Sequence, residues 1–321
     1  MLFRSETKLF EIKISDKTGA ISSIRNKKTG KCINTGMLKT ACYDDKGDTW
    51  TFNISNYGER LGKFKVIGTE VLEDGIFRTK IKVSMEYNKS ILDFYYVFYE
   101  DEEYFDLYYK VNWNEKYQTL KFEFDVKNDG VTAGVPAGRI DRKSFDGDVP
   151  LHRWITFDGV SVITPSAFSY SASADKIGIT ILRSCIYGDY RMGELDYNLD
   201  FDVMQQGITE GKMRVMFGGD PERQAEGFCN ECVVIDESNH DGTEKPWGSF
   251  LNVGCKDISL MALKYGEDDG IIIRLRETKD KETNTNLSFK EKTHSLEFKP
   301  HEIKTLKLNK GTIKEVNMLE L

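Results

Sequence analysis

Phe77-Arg78-Thr79-Lys80-Ile81-Lys82-Val83-Ser84-Met85-Glu86-Tyr87 is the stretch that decides the fold. Its odd positions are Phe77, Thr79, Ile81, Val83, Met85 and Tyr87, and its even positions, Arg78, Lys80, Lys82, Ser84 and Glu86, are all polar. Side chains of a β-strand point alternately to opposite faces, so a repeat of two predicts a strand with one buried face. Outward from this run the pattern continues. After the short break Asn88-Lys89-Ser90 come Leu92, Phe94, Tyr96 and Phe98, then Phe105, Leu107, Tyr109, Val111 and Trp113. A fourth run sets Leu120, Phe122, Phe124 and Val126 against Lys121, Glu123 and Asp125. Four such runs with short breaks predict an antiparallel meander.

Six Asp-Gly dipeptides, at Asp74, Asp129, Asp146, Asp158, Asp241 and Asp269, supply residues that tolerate positive φ at tight turns. One helix is predicted, from Pro221 to about Glu231, with Asp220 capping its free amides and proline in its first turn. Strands so outnumber helices that the pattern argues against an α/β fold. Between Asp236 and Trp247 the chain is polar and turn-rich, which places a domain boundary there: residues 1–235 as a large domain and 236–321 as a small one. In the second, 258–263, 271–275, 295–298 and 303–308 read as strands.

At 321 residues the chain can bury a sizeable core in one or two domains. The formal charge of −7 is spread over interleaved signs, with no basic block to follow a phosphate backbone, so nucleic acid is excluded as a partner. No apolar run approaches a membrane span, and Met1-Leu2-Phe3-Arg4-Ser5-Glu6 has no signal-peptide character. Six irregularly spaced cysteines fit reduced thiols. A cytoplasmic protein without a membrane partner is the expectation.

Cys229-Asn230-Glu231-Cys232 has the spacing of half a zinc site, but no second pair accompanies it, and His152, His240, His294 and His301 are scattered singly. No metal or other cofactor is expected in this chain. With 52 carboxylates, acidic pairs occur at any spacing by chance and assign no catalytic residue. The segment from Val135 to Phe157 stands apart. It is not patterned as a strand, yet it gathers Arg139, Arg142, His152, Arg153 and Trp154 between prolines. Planar donors suit hydroxyls and an aromatic face suits a sugar ring. The structural alternative is a loop whose Trp154 packs on the sandwich and whose arginines meet nearby carboxylates.

Several stretches, in order, resemble the C-terminal region of bacterial glycoside hydrolase family 38 α-mannosidases. Leu9 to Ile21 is similar to the opening strand and turn that follow the catalytic portion, and Asp48-Thr49-Trp50 resembles the family's D-x-W element. Val111-Asn112-Trp113-Asn114-Glu115 with Leu120-Lys121 resembles V-D-W-x-E…L-K. Val135 to Arg142 and His152-Arg153-Trp154 resemble I-P-Y-G-x-I-x-R and Q-R-W. Gly178 to Ser184 is similar to G-L-T-L-L-R-S, and 269–277, 300–306 and 316–320 resemble the last sandwich. Ala137 stands where the family has tyrosine, His152 where it has glutamine, and Gln205-Gln206-Gly207 with Glu210 where it has D-Q-G-x-H.

The resemblance implies an all-β chain: a large galactose-mutarotase-like β-sandwich, then a smaller C-terminal sandwich. It implies a retaining, zinc-dependent parent enzyme whose metal ligands and nucleophile lie in an N-terminal catalytic domain that nothing in this chain matches. The chain is then expected to be a piece of an α-mannosidase, inactive alone. It would brace that domain and lend the cleft Arg139, Arg142, His152, Arg153 and Trp154, with Asp48 and Trp50 behind them. Its partners would be an α-mannoside oligosaccharide, the catalytic domain and, through the surface that domain leaves bare, a second copy. Two alternatives remain open: a non-catalytic carbohydrate-binding module, and an aldose 1-epimerase-like protein, which two histidines and a glutamate would require.

Overall fold

Alternation along Arg78–Tyr87 becomes a strand whose Ile81, Val83 and Met85 are fully buried while Lys80 and Lys82 stay partly solvated. The structure is a computed structural model; it describes residues 3–33, 36–50, 55–127, 129–188, 198, 200–243, 247–267, 270–289, 292–309 and 311–321. Phe77, expected inward, is exposed, because the strand begins one residue later and Phe77 sits on the hairpin tip.

The chain divides into two compact units, Met1–Glu231 and Cys232–Leu321. Among the described residues, the first holds two large antiparallel sheets. One has ten strands, in the order Phe3–Glu6, Phe10–Ile14, Ile21–Asn26, Met37–Asp44, Gln118–Asp125, Lys176–Arg183, Ser169–Ala172, Phe145–Pro150, with Cys32–Ile33 and Arg60–Gly62 alongside. The other has nine: Gly138–Arg142, Val131–Val135, Trp154–Phe157, Val160–Ile163, Gly207–Met216, Tyr104–Trp113, Ser90–Tyr99, Arg78–Tyr87 and Lys65–Asp74.

The sheets pack face to face through aromatic side chains. Phe122 of the ten-stranded sheet meets Phe94 and Tyr109 of the other edge-on, at ring separations of 4.9 and 5.2 Å, and Phe124 meets Phe157 at 5.4 Å. Edge-on contacts are the favoured geometry for such rings, and truncating one to alanine in a packed core costs about 3–5 kcal/mol.

The helix Pro221–Cys229 forms where expected, with the Asp220 carboxylate accepting from the Arg223 amide. It covers Trp154, Ile163 and Met216 on the outer face of the nine-stranded sheet with Ala225 and Phe228. Asp158 and Gly159, both at positive φ, make the two-residue turn between Trp154–Phe157 and Val160–Ile163. Gly147 instead sits within a strand, at an irregular register, and Asp269 lies outside the described residues.

The second unit contains sheets of three and four strands, among its described residues, around Ile273, Leu275, Leu287, Phe298 and Leu306.

Candidate functional site

The central strand Gln118–Asp125 turns Leu120, Phe122 and Phe124 into the core, so Thr119, Lys121 and Glu123 point out of the sandwich. Residues on that side are ordinarily wet. Here Thr119, Lys121 and Glu123 are all buried, with Asp45, Tyr57 and Arg60, which follow Met37–Asp44 in the chain, lying against them. The result is a covered polar surface on the outside of the ten-stranded sheet.

At its centre Lys121 Nζ lies 2.5 Å from Asp148 Oδ2 and donates to Ser171 Oγ at 2.9 Å. Asp148 comes from the edge strand Phe145–Pro150, separated from this one by two strands of the same sheet, and also accepts from Ser169 Oγ at 3.0 Å and Thr180 Oγ1 at 2.8 Å, hydroxyls of the two strands between. Lys121 stands over the rings of Tyr57, 4.9 Å from its centroid, and Tyr43, 5.7 Å away. Burial holds the Lys121 ammonium below its ordinary value, against the opposing pull of the Asp148 carboxylate. Beside it, Tyr43 donates to Glu123, whose carboxylate also meets Arg60 at 3.3 Å and Lys176 at 3.5 Å. Burial, then that bond to Glu123, pushes the Tyr43 hydroxyl well above its ordinary value.

A second ion pair anchors the covering segment. Arg183 donates to both oxygens of Asp45, Nε at 2.8 Å and a terminal nitrogen at 2.9 Å, and the same nitrogen reaches the Asp48 carbonyl at 3.3 Å. Thr119 Oγ1 adds a donor to Asp45 at 2.6 Å, and the guanidinium stacks 5.1 Å from Tyr57. The Asp48 carboxylate accepts from the Trp50 amide at 3.0 Å. Trp50 is 65% exposed and lies against Gly188, where an added Cβ would sit 2.7 Å from the indole. An exposed indole beside satisfied buried charges offers a flat apolar face with polar groups at its base, the pairing that binds one face of a sugar.

The other expected site residues are elsewhere. Val135 to Phe157 is largely strand: Gly138–Arg142 is an edge of the nine-stranded sheet, Phe145–Pro150 an edge of the ten-stranded one, and Trp154–Phe157 returns to the first. Arg139 is exposed on its hairpin. Arg142 donates to the hydroxyl of fully buried Tyr170 at 3.0 Å. His152 is half-buried, and burial, then the Arg153 charge, holds its imidazole below the ordinary value. Arg153 occupies a positive-φ turn at 67°. Trp154, expected at the rim, is a core residue at 6% exposure beneath the helix, because it faces the side of its strand opposite to Ile155 and Phe157. Gly134 permits this packing, since a Cβ there would meet the His152 carbonyl at 2.3 Å and the Trp154 indole at 2.9 Å.

Asp48 and Trp50 are thus gathered with Asp45, Tyr57, Lys121, Asp148 and Arg183, which sequence reasoning did not single out. Outward polar positions on a strand read as solvated; that they are covered depends on a return of the chain that no local pattern encodes.

A family model described as "Glycosyl hydrolases family 38 C-terminal domain" matches residues 5–191, more than half of the chain, including the covered face. No curated protein sequence matches. Among solved structures the chain is similar to an alpha-mannosidase from Enterococcus faecalis V583, with a TM-score of 0.77 at 14% identity, over 95% of this chain and 42% of that one. It is also similar to a protein in glycosyl hydrolase family 38 from Enterococcus faecalis, with a TM-score of 0.78 at 14% identity, over 95% of this chain and 44% of that one. The chain spans less than half the length of either relative, and the likeness to them is one of fold.

Proposed function

Because this chain belongs to the glycosyl hydrolases family 38 C-terminal domain family, we propose that it forms the β-rich part of an α-mannosidase, bracing a catalytic part and contributing to its substrate cleft. In this reading the parent removes terminal α-linked mannose with retention, and its nucleophile and zinc belong to the catalytic part. Zinc has no fitting place among the described residues here, where no three His, Cys, Asp or Glu side chains converge.

The observation that supports a cleft role is Trp50, held exposed on Gly188 at the end of a face of buried ion pairs. In such a role Trp50 stacks on a sugar ring, while Arg183 and Asp45 orient the backbone that presents it. Arg139, exposed on its hairpin, remains a rim donor in this proposal, with Arg142, His152 and Arg153 behind it. Trp154, beneath the helix, serves the fold instead.

The test joins this chain to a family 38 catalytic part and measures kcat/KM on an α-mannoside. Trp50→Ala is expected to lower it by roughly ten- to a hundredfold with melting unchanged, and the chain alone is expected to show no hydrolysis. Unchanged kinetics for both Trp50→Ala and Arg139→Ala would remove the cleft role and leave bracing.

The exposed Trp50, with Tyr187 exposed nearby in sequence to Gly188, also supports a second reading, a carbohydrate-binding module without catalysis. Retention of the isolated chain on immobilised mannan, lost in Trp50→Ala, favours it. The epimerase reading has little support: His152 is the sole histidine of the first unit.

A further inference from the structure

The nine-stranded sheet ends in an unusual edge. Lys65–Asp74 is ten residues long and, among the described residues, pairs only with Arg78–Tyr87. Val66 N–H donates to the Lys17 carbonyl at 3.2 Å, so the free stretch begins at Ile67. Residues 67–72 are all exposed, including Ile67, Val71 and Leu72. The other edges of the two large sheets are shorter: Phe3–Glu6 has four residues, Gly138–Arg142 five, and Phe145–Pro150 six with a proline and an irregular register. Brevity, proline and bulges are how proteins keep edge strands from pairing. Lys65–Asp74 is neither short nor proline-bearing, and its register irregularities, at Ile67 and Leu72, leave the middle of the strand regular.

Its sequence says what could pair with it. Two identical strands related by a two-fold axis through a sheet must be centred on one residue facing its own copy. Centred on Thr69, the register sets threonine against threonine, Gly68 against Glu70 and Ile67 against Val71 within the free stretch. Beyond it, where the Val66 amide is already bonded to Lys17, the Val66 and Lys65 side chains fall opposite Leu72 and Glu73, apolar with apolar and lysine with glutamate. One step either way destroys the match. A centre at Glu70 opposes two glutamates and puts Ile67 on Glu73, while a centre at Gly68 puts Val66 on Glu70. Like charges directly opposite destabilise a pair, and threonine, apolar and opposite-charge pairs stabilise it.

We infer that Lys65–Asp74 is the interface for a second copy of this chain, joined antiparallel about Thr69 into one continuous sheet. Irregular register against the inner neighbour at Ile67 and at Leu72 limits the ladder to its middle. The same rotation carries the hairpin tip, with Ile76 81% and Phe77 76% exposed, past Lys65 of the other copy, adding apolar contact. So small an interface makes a concentration-dependent dimer and not an obligate one. This inference does not rest on the mannosidase reading.

The test is sedimentation of the full chain over a range of concentrations. Wild type is expected to show a monomer–dimer equilibrium. Thr69→Glu, which opposes two carboxylates at the axis, and Ile67→Lys are each expected to weaken it by roughly tenfold or more without lowering the melting temperature, both positions being exposed. Thr69→Cys is expected to give a covalent dimer on mild oxidation, above the wild-type background, because facing residues of an antiparallel pair lie within disulfide reach. Lys110→Cys, exposed on the same sheet away from the edge, is the control that gives none. A wild-type chain that stays monomeric at every concentration overturns the inference. So does a dimer that both charge variants leave intact and Thr69→Cys does not cross-link.

Discussion

Lys121 shows how a residue can match the sequence pattern and still escape it. Alternation correctly places it on the outward side of its strand, yet its side chain is 6% exposed and faces Asp148 at 13%. A buried pair of this kind is held by its geometry: removing one partner strands the other charge, whereas replacing both is far milder. Lys121→Met alone is therefore expected to cost about 3–5 kcal/mol in denaturant unfolding, and Lys121→Met with Asp148→Asn to recover most of it. A double variant no better than the single one would mean that the Ser169, Ser171 and Thr180 hydroxyls, not the charge pair, hold this face. The covered site was illegible at this scale because identical residue patterns serve wet and covered sheet faces. Trp50 was legible as a residue type, but the surface its indole lies against, at Gly188, is distant in sequence.

Elements were read well where strands are long. The four alternating runs from Phe77 to Val126 match Arg78–Tyr87, Ser90–Tyr99, Tyr104–Trp113 and Gln118–Asp125 because each repeats its period often enough to stand above chance. The strands between Val135 and Phe157 have only four to six residues, and glycine, proline and a register shift interrupt them, so the same test finds no pattern. Their roles follow from where they lie. Trp154→Ala is expected to cost about 3–5 kcal/mol, as truncation of a buried aromatic does, and to leave sugar affinity unchanged. Arg142→Ala is expected to cost about 1–3 kcal/mol, since it orphans the buried Tyr170 hydroxyl. Unfolding curves with mannoside titrations check both. A Trp154→Ala chain of normal stability with weakened sugar binding would return that residue to the rim.

Among the described residues the first unit has its main core around Phe122, with a smaller cluster around Trp154 beneath the helix, and the second unit has its own core around Leu275. Residues of independent cores act additively. Calorimetry is therefore expected to resolve two transitions, with Phe122→Ala lowering one and Leu275→Ala the other; a single transition shifted by both would show that the units unfold together. The sequence by itself determined that the chain is all-β, which strands are longest and which family it resembles, since these depend on local alternation and on ordered motifs. Only the tertiary structure decided that Lys121, Asp148 and Arg183 share a covered face, that Trp154 lies in a core, and that Lys65–Asp74 is, among the described residues, an edge strand. Those properties depend on which strands become neighbours and which segment folds back over them, and such contacts join residues as far apart as Asp45 and Arg183.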